Sequence, residues 1–462
     1  MRKYRIAVCC LLCVGLLLSS FGCTKDEAPF VPTSVADLWE QIDKTMEALE
    51  SYKEESVIEA AFYIQDGLYK MNVVSNGISA SLDGEPYYYM EQNTEVTYDS
   101  SSYQENFKTI RAYYDGTAYL ADEVGAEARK LCSKISFQDF EEIILDNSIS
   151  LSEHVLDCTA QTFEKNSDGN WTLQFSGYTK KTLDEFCSSM GLNEVDITDQ
   201  IVDLKISVMA DGSYRAKSIT LEFVFSENVA SNTICKLSST FSAYNETEAT
   251  PDAIQADQYT KVDDLPVMMQ VSEQLEEMMQ QESGKSTVTV KQILRSAGAE
   301  QTITEVDKVA YGRKNNKLYY EINANYEGVD IDITYQNGKR IISAQGEQET
   351  ESITEQEAAY TLETLLNCAY YTDSTVADIQ KIDENRYRFT MSICNVPGIE
   401  EVYVNARGQL TSVTQTITVK FKDGKLVEME SLVEATGTMS NQNVTCTVSS
   451  EAKYGESGSA SV

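Results

Sequence analysis

The sequence predicts an α+β protein of two tandem units, each a large curved antiparallel sheet that resembles a half-barrel. Three observations lead to this prediction. An amphipathic helical pattern opens each half, long runs with a period of two residues follow it, and Asp-Gly or Asn-Gly pairs separate those runs. Because tight turns of this kind join antiparallel strands, we expect two meanders, each with its helices packed on the concave face.

The first helical pattern begins after Ser34, a good N-cap residue that Asp37 follows three positions later. Its apolar residues repeat at helical spacing and form one stripe. The stripe consists of Val35, Leu38, Trp39, Ile42, Met46 and Leu49. Further helices are expected after Ser136, over residues 183–190, over residues 266–281, and after Ser352, which Glu355 would help to cap.

Hairpin turns are expected wherever Asp or Asn precedes Gly, because these residues adopt positive φ angles at low cost. The pairs are Asp66-Gly67, Asn76-Gly77, Asp83-Gly84, Asp115-Gly116, Asp168-Gly169, Asp211-Gly212, Asn337-Gly338 and Asp423-Gly424.

Several of these turn signals recur at corresponding positions of the two halves. Residues 136–178 align with residues 352–394 without a gap, and Cys235-Lys236-Leu237-Ser238-Ser239 aligns with Cys446-Thr447-Val448-Ser449-Ser450. This order of matches predicts an internal repeat, and two unrelated domains with shared turn chemistry are the alternative.

The N-terminus has the pattern of a secretory signal peptide. Arg2, Lys3 and Arg5 precede an apolar run over residues 6–18, which is short for a membrane span. Gly22-Cys23 then resembles the lipobox of bacterial lipoproteins. That resemblance implies that Cys23 carries a diacylglyceryl or palmitate-containing anchor on the extracytoplasmic face of a bacterial cell membrane. An ordinary signal peptide that is cleaved nearby is the alternative.

The predicted boundaries follow from these signals and from an acidic, Pro251-containing stretch between the halves. They are a signal peptide at 1–22, a lipidated tether at 23–33, a first unit at 34–247, a linker at 248–264, a second unit at 265–454 and a disordered tail at 455–462. A helix followed by meandering strands, behind a lipobox, resembles the LolA and LppX/LprG superfamily of lipoprotein and lipid carriers. The resemblance is architectural and implies a cavity for acyl chains, but it identifies no ligand-binding residue.

Charge restricts the partners. The 462-residue chain has a formal net charge of −36, and removal of the signal peptide would make it three charges more negative. Nucleic acid is therefore excluded as a partner, and attachment to a membrane requires an apolar anchor. Among 11 cysteines, those after Cys23 are widely spaced and show no CxxC pair.

No catalytic or metal site is expected. His154 is the only histidine, no G-x-S-x-G motif is present, and Asp330 with Asp332 is more simply explained as a solvated strand face than as a calcium site. We therefore expect a protein that is not an enzyme and uses no cofactor. It would bind a lipid or another apolar ligand between sheet and helices. A surface scaffold for envelope proteins is the alternative, and a carboxylate hydrolase is a distant third.

Overall fold

The computed structural model describes residues 30–64, 67–98, 103–124, 127–141, 154–189, 200–229, 232–296, 298–315, 317–392, 409–439 and 442–455. Contacts divide the chain into two compact units, Met1–Tyr259 and Thr260–Val462. The predicted signal peptide, Cys23, most of the tether and nearly all of the tail lie outside the described residues. Residues 30–33 are described, and the backbone oxygen of Phe30 accepts a hydrogen bond of 2.7 Å from the Tyr214 hydroxyl.

The predicted α+β class is wrong. Of the described residues, 63% are in strands and 17% in helices, and the architecture consists of two large antiparallel sheets instead of sheets layered with helices on a concave face. The reason is strand length. The helical patterns exist, but strands such as Gly67–Leu82 and Ala299–Lys314 reach 16 residues and pair over most of that length. Backbone hydrogen bonds between strands therefore dominate the fold.

The strands of the first unit are β1 Tyr52–Ile64, β2 Gly67–Leu82, β3 Glu85–Tyr98, β4 Tyr103–Tyr114, β5 Thr117–Val124, β6 Glu127–Lys134, β7 Cys158–Lys165, β8 Trp171–Tyr178, β9 Ile201–Ala210, β10 Ala216–Phe225 and β11 Ile234–Ser242. A two-residue strand, β12 Thr260–Lys261, follows where the chain leaves this unit. The strands of the second unit are β13 Gly284–Ser296, β14 Ala299–Lys314, β15 Lys317–Tyr326, β16 Val329–Gln336, β17 Lys339–Ala344, β18 Glu347–Ser352, β19 Val376–Asp383, β20 Arg386–Met391, β21 Gln409–Lys422, β22 Lys425–Met439 and β23 Gln442–Tyr454.

The helices are α1 Val35–Glu47, α2 Phe137–Asp139, α3 Lys180–Ser189, α4 Pro266–Gln280 and α5 Glu355–Leu366. Short 3-10 turns occur at Pro251–Ala253, Ala256–Gln258 and Asp373–Thr375. Within the described ranges, no helix is both long enough and apolar enough to cross a membrane.

Both units use one strand order. The first sheet has 12 strands, and eleven of them run β6-β5-β4-β3-β2-β1-β11-β10-β9-β8-β7. The second has 11 strands in the order β18-β17-β16-β15-β14-β13-β23-β22-β21-β20-β19, which is the first order with every number raised by twelve. In each unit the first long strand pairs with the last, so the two ends of the unit meet in the middle of its sheet. The shared topology agrees with the internal repeat predicted from the sequence.

Local signals at helix starts are mostly confirmed. The Ser34 side chain accepts a hydrogen bond from the Asp37 backbone N–H at 3.1 Å, and Ser136 caps α2 in the same way. The predicted cap at Ser352 is wrong, since Ser352 is the last residue of β18 and pairs with Lys339. Thr354 caps α5 instead, in a complete capping box with Glu357.

Turn chemistry is also mostly confirmed. Both residues of four predicted turns have positive φ, as the two-residue hairpin turn requires: Asp83-Gly84, Asp115-Gly116, Asn337-Gly338 and Asp423-Gly424. Asp168-Gly169 and Asp211-Gly212 also lie in turns between strands, although only Gly169 of these four residues has positive φ. Asp66 of the pair Asp66-Gly67 lies outside the described residues. Asn76-Gly77 does not form a turn. Both residues lie inside β2, where Asn76 pairs with Glu55 on one side and with Glu91 on the other. Two long neighbouring strands hold this segment extended, so its local turn preference is overridden.

Side chains of α1 and of the sheet form the main core of the first unit. Leu38 and Ile42 of α1 are 0% and 2% exposed and belong to the same apolar cluster as Phe175 and Leu221. The apolar stripe expected for α1 is thus confirmed. Part of the predicted linker also contributes to packing, because Ile254 is 2% exposed among residues of β2 to β5. The Tyr87 hydroxyl donates a hydrogen bond of 3.0 Å to the backbone oxygen of Thr250.

Candidate functional site

The helix-side face of the second sheet is the strongest candidate for a ligand site. The Tyr454 hydroxyl donates a hydrogen bond of 2.7 Å to the backbone oxygen of Leu366, the last residue of α5. Tyr454 lies opposite Ser286 in the strand register, so Ser286 is on the same face. Because alternate residues of a strand share a face, Val288 and Val290 of β13 follow on that side.

One end of this face is closed. Tyr311, Tyr320 and Tyr335 lie in one row across β14, β15 and β16, and they are 2%, 2% and 3% exposed. The rings of Tyr320 and Tyr335 stack with centroids 5.4 Å apart. On α5, the inward side chains of Leu362 and Leu366 are also buried. This end of the sheet therefore forms an ordinary packed core.

The other end is open. Farther along the same strands, the apolar side chains of the helix-side face become partly exposed, and Tyr326 is 40% exposed. The partly exposed residues are Val290, Ile303, Val329, Ile331, Ile333 and Ile342. Together with Tyr326 of β15, they lie on five neighbouring strands, from β13 to β17. A contiguous, exposed apolar surface of this kind is typical of a binding site.

Two carboxylates lie where the closed end meets the open end. Asp307 pairs with Val288 and Ala324 in the register, which are 1% and 8% exposed, and Asp307 itself is 5% exposed. Its Oδ1 has no hydrogen-bond partner within the described part of the chain. Glu305, two residues earlier on the same face, is partly exposed. No lysine or arginine in the described ranges forms an ion pair with either carboxylate.

Burial, together with the smaller effect of the nearby Glu305 charge, raises the pKa of Asp307 to about 7. The adjacent row adds a second unused polar atom, because Ser286 is 3% exposed and its Oγ has no partner among the described residues. Buried polar atoms in proteins normally have partners. Two of the exceptions, Asp307 Oδ1 and Ser286 Oγ, lie on adjacent rows beside an exposed apolar surface, which favours a polar ligand group at this position.

The corresponding face of the first sheet has a different character. A row of mostly polar residues crosses seven neighbouring strands in register: Ser239, Ser56, Ser75, Gln92, Thr109, Asp122 and Arg129. Much of it is satisfied internally, since Ser56 Oγ lies 2.7 Å from Ser239 Oγ and donates to Glu54 at 2.8 Å. Burial raises the pKa of Glu54 to about 7, although hydrogen bonds from Ser56 and Ser239 lower it.

At the end of this row, Asp122 lies between two arginines. Arg111 approaches its Oδ1 at 2.8 Å, and Arg129 is paired with its Oδ2. The three side chains are only 19%, 12% and 6% exposed in the order Arg111, Asp122, Arg129. Arg111 also donates to the backbone oxygens of Ile110 and Ala121. This group is tightly connected, and it is best explained as a structural ion-pair network.

A concavity of about 320 Å³ lies near the ends of β10 and β11. Lys205, Glu222 and Lys236 line it, and the register places Glu222 opposite both lysines. Since the charges alternate, neither sign prevails in this concavity. It is near the lower limit of ligand pockets in size and has no buried, unpartnered charge.

The other candidate chemistry is explained by local pairing. Glu428, Glu430 and Glu451 approach one another closely enough to hold a metal ion. However, Lys420 and Lys453 pair with Glu428, and the hydrogen bond from Lys453 helps to lower the pKa of Glu451. Glu428 and Glu451 therefore already have cationic partners.

Two candidates from the sequence have similar explanations. Asp330 and Asp332 accept hydrogen bonds from Asn325 and Asn323 at 2.6 Å and 2.8 Å. His154 precedes β7, and its Nδ1 is 3.2 Å from an oxygen of Asp157. No disulfide joins any two of Cys132, Cys158, Cys235, Cys368 and Cys446.

Sequence reasoning named no ligand-binding residue and missed Asp307. The segment Glu305-Val306-Asp307-Lys308-Val309 places charged and apolar residues on both possible faces. Its pattern therefore does not show which side is buried. Only the register with β13 and β15 shows that Glu305, Asp307 and Val309 face the helices.

No protein-family model and no curated protein matches the chain. Among solved structures, it is similar to the ywiB protein from Bacillus subtilis, with 12% identity over 39% of this chain and 99% of that chain and a TM-score of 0.13. A DUF3598-family protein of unknown function from Nostoc punctiforme shows 7% identity over 90% and 98%, with a TM-score of 0.14. Transferrin Binding Protein B from Haemophilus parasuis shows 7% identity over 88% and 76%, also with a TM-score of 0.14. Scores this low carry no argument about fold or function.

Proposed function

We propose that this chain is a non-enzymatic binding protein of the bacterial cell envelope, anchored through a lipid on Cys23. It holds an amphipathic ligand on the open, helix-side face of its second sheet. The observation that carries the proposal is the combination on that face of partly exposed apolar residues with buried, unpartnered polar atoms. An apolar tail would cover the partly exposed apolar side chains of this face, such as Val290, Ile331 and Ile342. A polar head would form hydrogen bonds with Asp307 Oδ1 and Ser286 Oγ.

Binding is tested with a soluble form that begins at Thr24 and is purified without detergent. Native mass spectrometry and solvent extraction should reveal a co-purifying amphiphile or the uptake of an added one. Two adjacent isoleucines provide matched variants, because both are partly exposed and Ile342 faces the helices, whereas Ile341 faces the opposite side. We expect Ile342→Asn to weaken binding about tenfold and Ile341→Asn to leave it unchanged, since a lost apolar contact is worth about 1–2 kcal/mol.

Equal binding by the two variants would place the ligand elsewhere. If the protein takes up no amphiphile at all, the binding proposal fails, and the alternative of a scaffold for envelope proteins gains support. Co-purification of one envelope protein with the lipid-free protein would then favour that alternative.

Anchoring is tested separately. We expect Cys23→Ser to move the protein from the membrane fraction to the soluble fraction of the producing bacterium, because attachment by acyl chains requires the modified thiol. Cys132→Ser, which changes a cysteine of β6, is the control and should leave the protein in the membrane fraction. A membrane-bound Cys23→Ser protein would contradict the lipid anchor.

A further inference from the structure

On the helix-side face of the second sheet, Asp307 and Glu305 lack the cationic partner that some other acidic residues of the two sheets have. On the same face, Glu351 of β18 is paired with Arg340 of β17 at 2.5 Å. In the first unit, Asp122 is held between two arginines. Neither Asp307 nor Glu305 pairs with a lysine or arginine in the described ranges. Asp307 is the more deeply buried of these two acids.

Leaving a buried carboxylate without a counter-charge is unfavourable, so the position is suited to a cation that arrives from outside. The surrounding residues restrict its kind. Val288 and Ala324 flank Asp307 in the register and offer no oxygen ligands from their side chains. A calcium ion takes six to eight oxygen ligands, and two carboxylates with one serine hydroxyl fall short of that number.

An ammonium group suits the same atoms better. It is a compact charge with three N–H donors, and charge-assisted hydrogen bonds to carboxylates are the stronger ones. Asp307 Oδ1, Ser286 Oγ and the Glu305 carboxylate are acceptors on adjacent rows of one face. An alkyl chain attached to the ammonium would extend over the open apolar end, toward Ile331 and Tyr326.

We infer that the ligand of this face is a cationic amphiphile, an alkyl-chain ammonium compound whose head is held by Asp307 and Glu305. This inference rests on the proposed binding function and specifies the chemical class of its ligand. If the inference is correct, the protein distinguishes ligands by the charge of the head group, and this selectivity depends on the position of Asp307. An apolar surface alone would not distinguish head groups by their charge.

The experiment compares three probes with the same chain: dodecylammonium, dodecyl maltoside and dodecyl sulfate. Each is titrated below its micelle concentration into the soluble form that begins at Thr24, and binding is followed by calorimetry. We expect dodecylammonium to bind at least tenfold more tightly than dodecyl maltoside, and dodecyl sulfate to bind most weakly. Asp307→Asn should remove the preference for ammonium and retain the affinity for dodecyl maltoside. Glu305→Gln should reduce the preference only in part.

The control is Asp332→Asn, which removes the same charge from the opposite face of β16, two strands away from β14. This variant distinguishes recognition of the ammonium group by Asp307 from general attraction of a cation to an acidic protein. It should leave the preference for ammonium intact. Equal loss in the two Asp→Asn variants, or no preference in the unmodified protein, overturns the inference while the binding function stands. If none of the three probes binds, the proposed function itself fails. Thermal unfolding of each variant verifies that it remains folded.

Discussion

Replacing Asp122 with Ala should lower the free energy of unfolding of the first unit by about 3–5 kcal/mol, because two arginines in the interior then lose their common partner. Arg111 of β4 and Arg129 of β6 lie on the two strands that flank β5, the strand of Asp122. All three side chains are less than one-fifth exposed. A guanidinium is expensive to keep away from water without a counter-charge. Asp122→Asn should also be destabilising, since the amide keeps the size of the side chain and removes its charge.

The measurement is denaturant-induced unfolding, analysed for the transition of the first unit. Glu40→Ala provides the control, because Glu40 pairs with Lys44 at 2.6 Å on an exposed face of α1, where both side chains are about two-thirds exposed. Exposed pairs of this kind contribute less than about 1 kcal/mol. If Asp122→Ala costs no more than Glu40→Ala, the three charged residues do not form a structural network.

Asp307→Asn should stabilise the second unit at alkaline pH, on the order of 2 kcal/mol near pH 8. The pKa of Asp307 is about 7 in the folded protein and 3.8 in the unfolded chain. Between these two values the folded state binds more protons than the unfolded state, so the contribution of Asp307 to stability falls as pH rises from about 4 to about 7. Above pH 7 the folded protein retains an ionised, buried carboxylate, and the amide avoids that cost.

Unfolding of the unmodified protein and of Asp307→Asn at several pH values between 4 and 8 tests this prediction. The difference between the two proteins should grow toward pH 8. Comparing the two proteins at each pH cancels the contribution of distant groups that both share, such as Glu54. Asp332→Asn is again the control, and its stability should follow that of the unmodified protein at each pH. Parallel curves for Asp307→Asn and the unmodified protein would mean that the Asp307 carboxyl is solvated in the folded state.

Several elements were predictable because they depend on a few adjacent residues. Ser34 caps its helix through a side chain that reaches only three residues onward. Asn337-Gly338 forms a turn because both residues accept positive φ. Predictions failed where distant strands decided the outcome. Asn76-Gly77 is held extended between two long strands, and Ser352 is drawn into an edge strand by its pairing with Lys339.

The sequence by itself determined the helical stripe of α1, most of the hairpin turns and the repeated order of elements, since helix periodicity, capping and turn chemistry act over a few residues. Only the tertiary structure decided the fold class and the candidate site. Asp307 lies between Val288 and Ala324 because β13, β14 and β15 pair in one register. A shift of one residue would turn it toward the opposite face. Pairing over long strands sets that register, and no short segment of the chain specifies it.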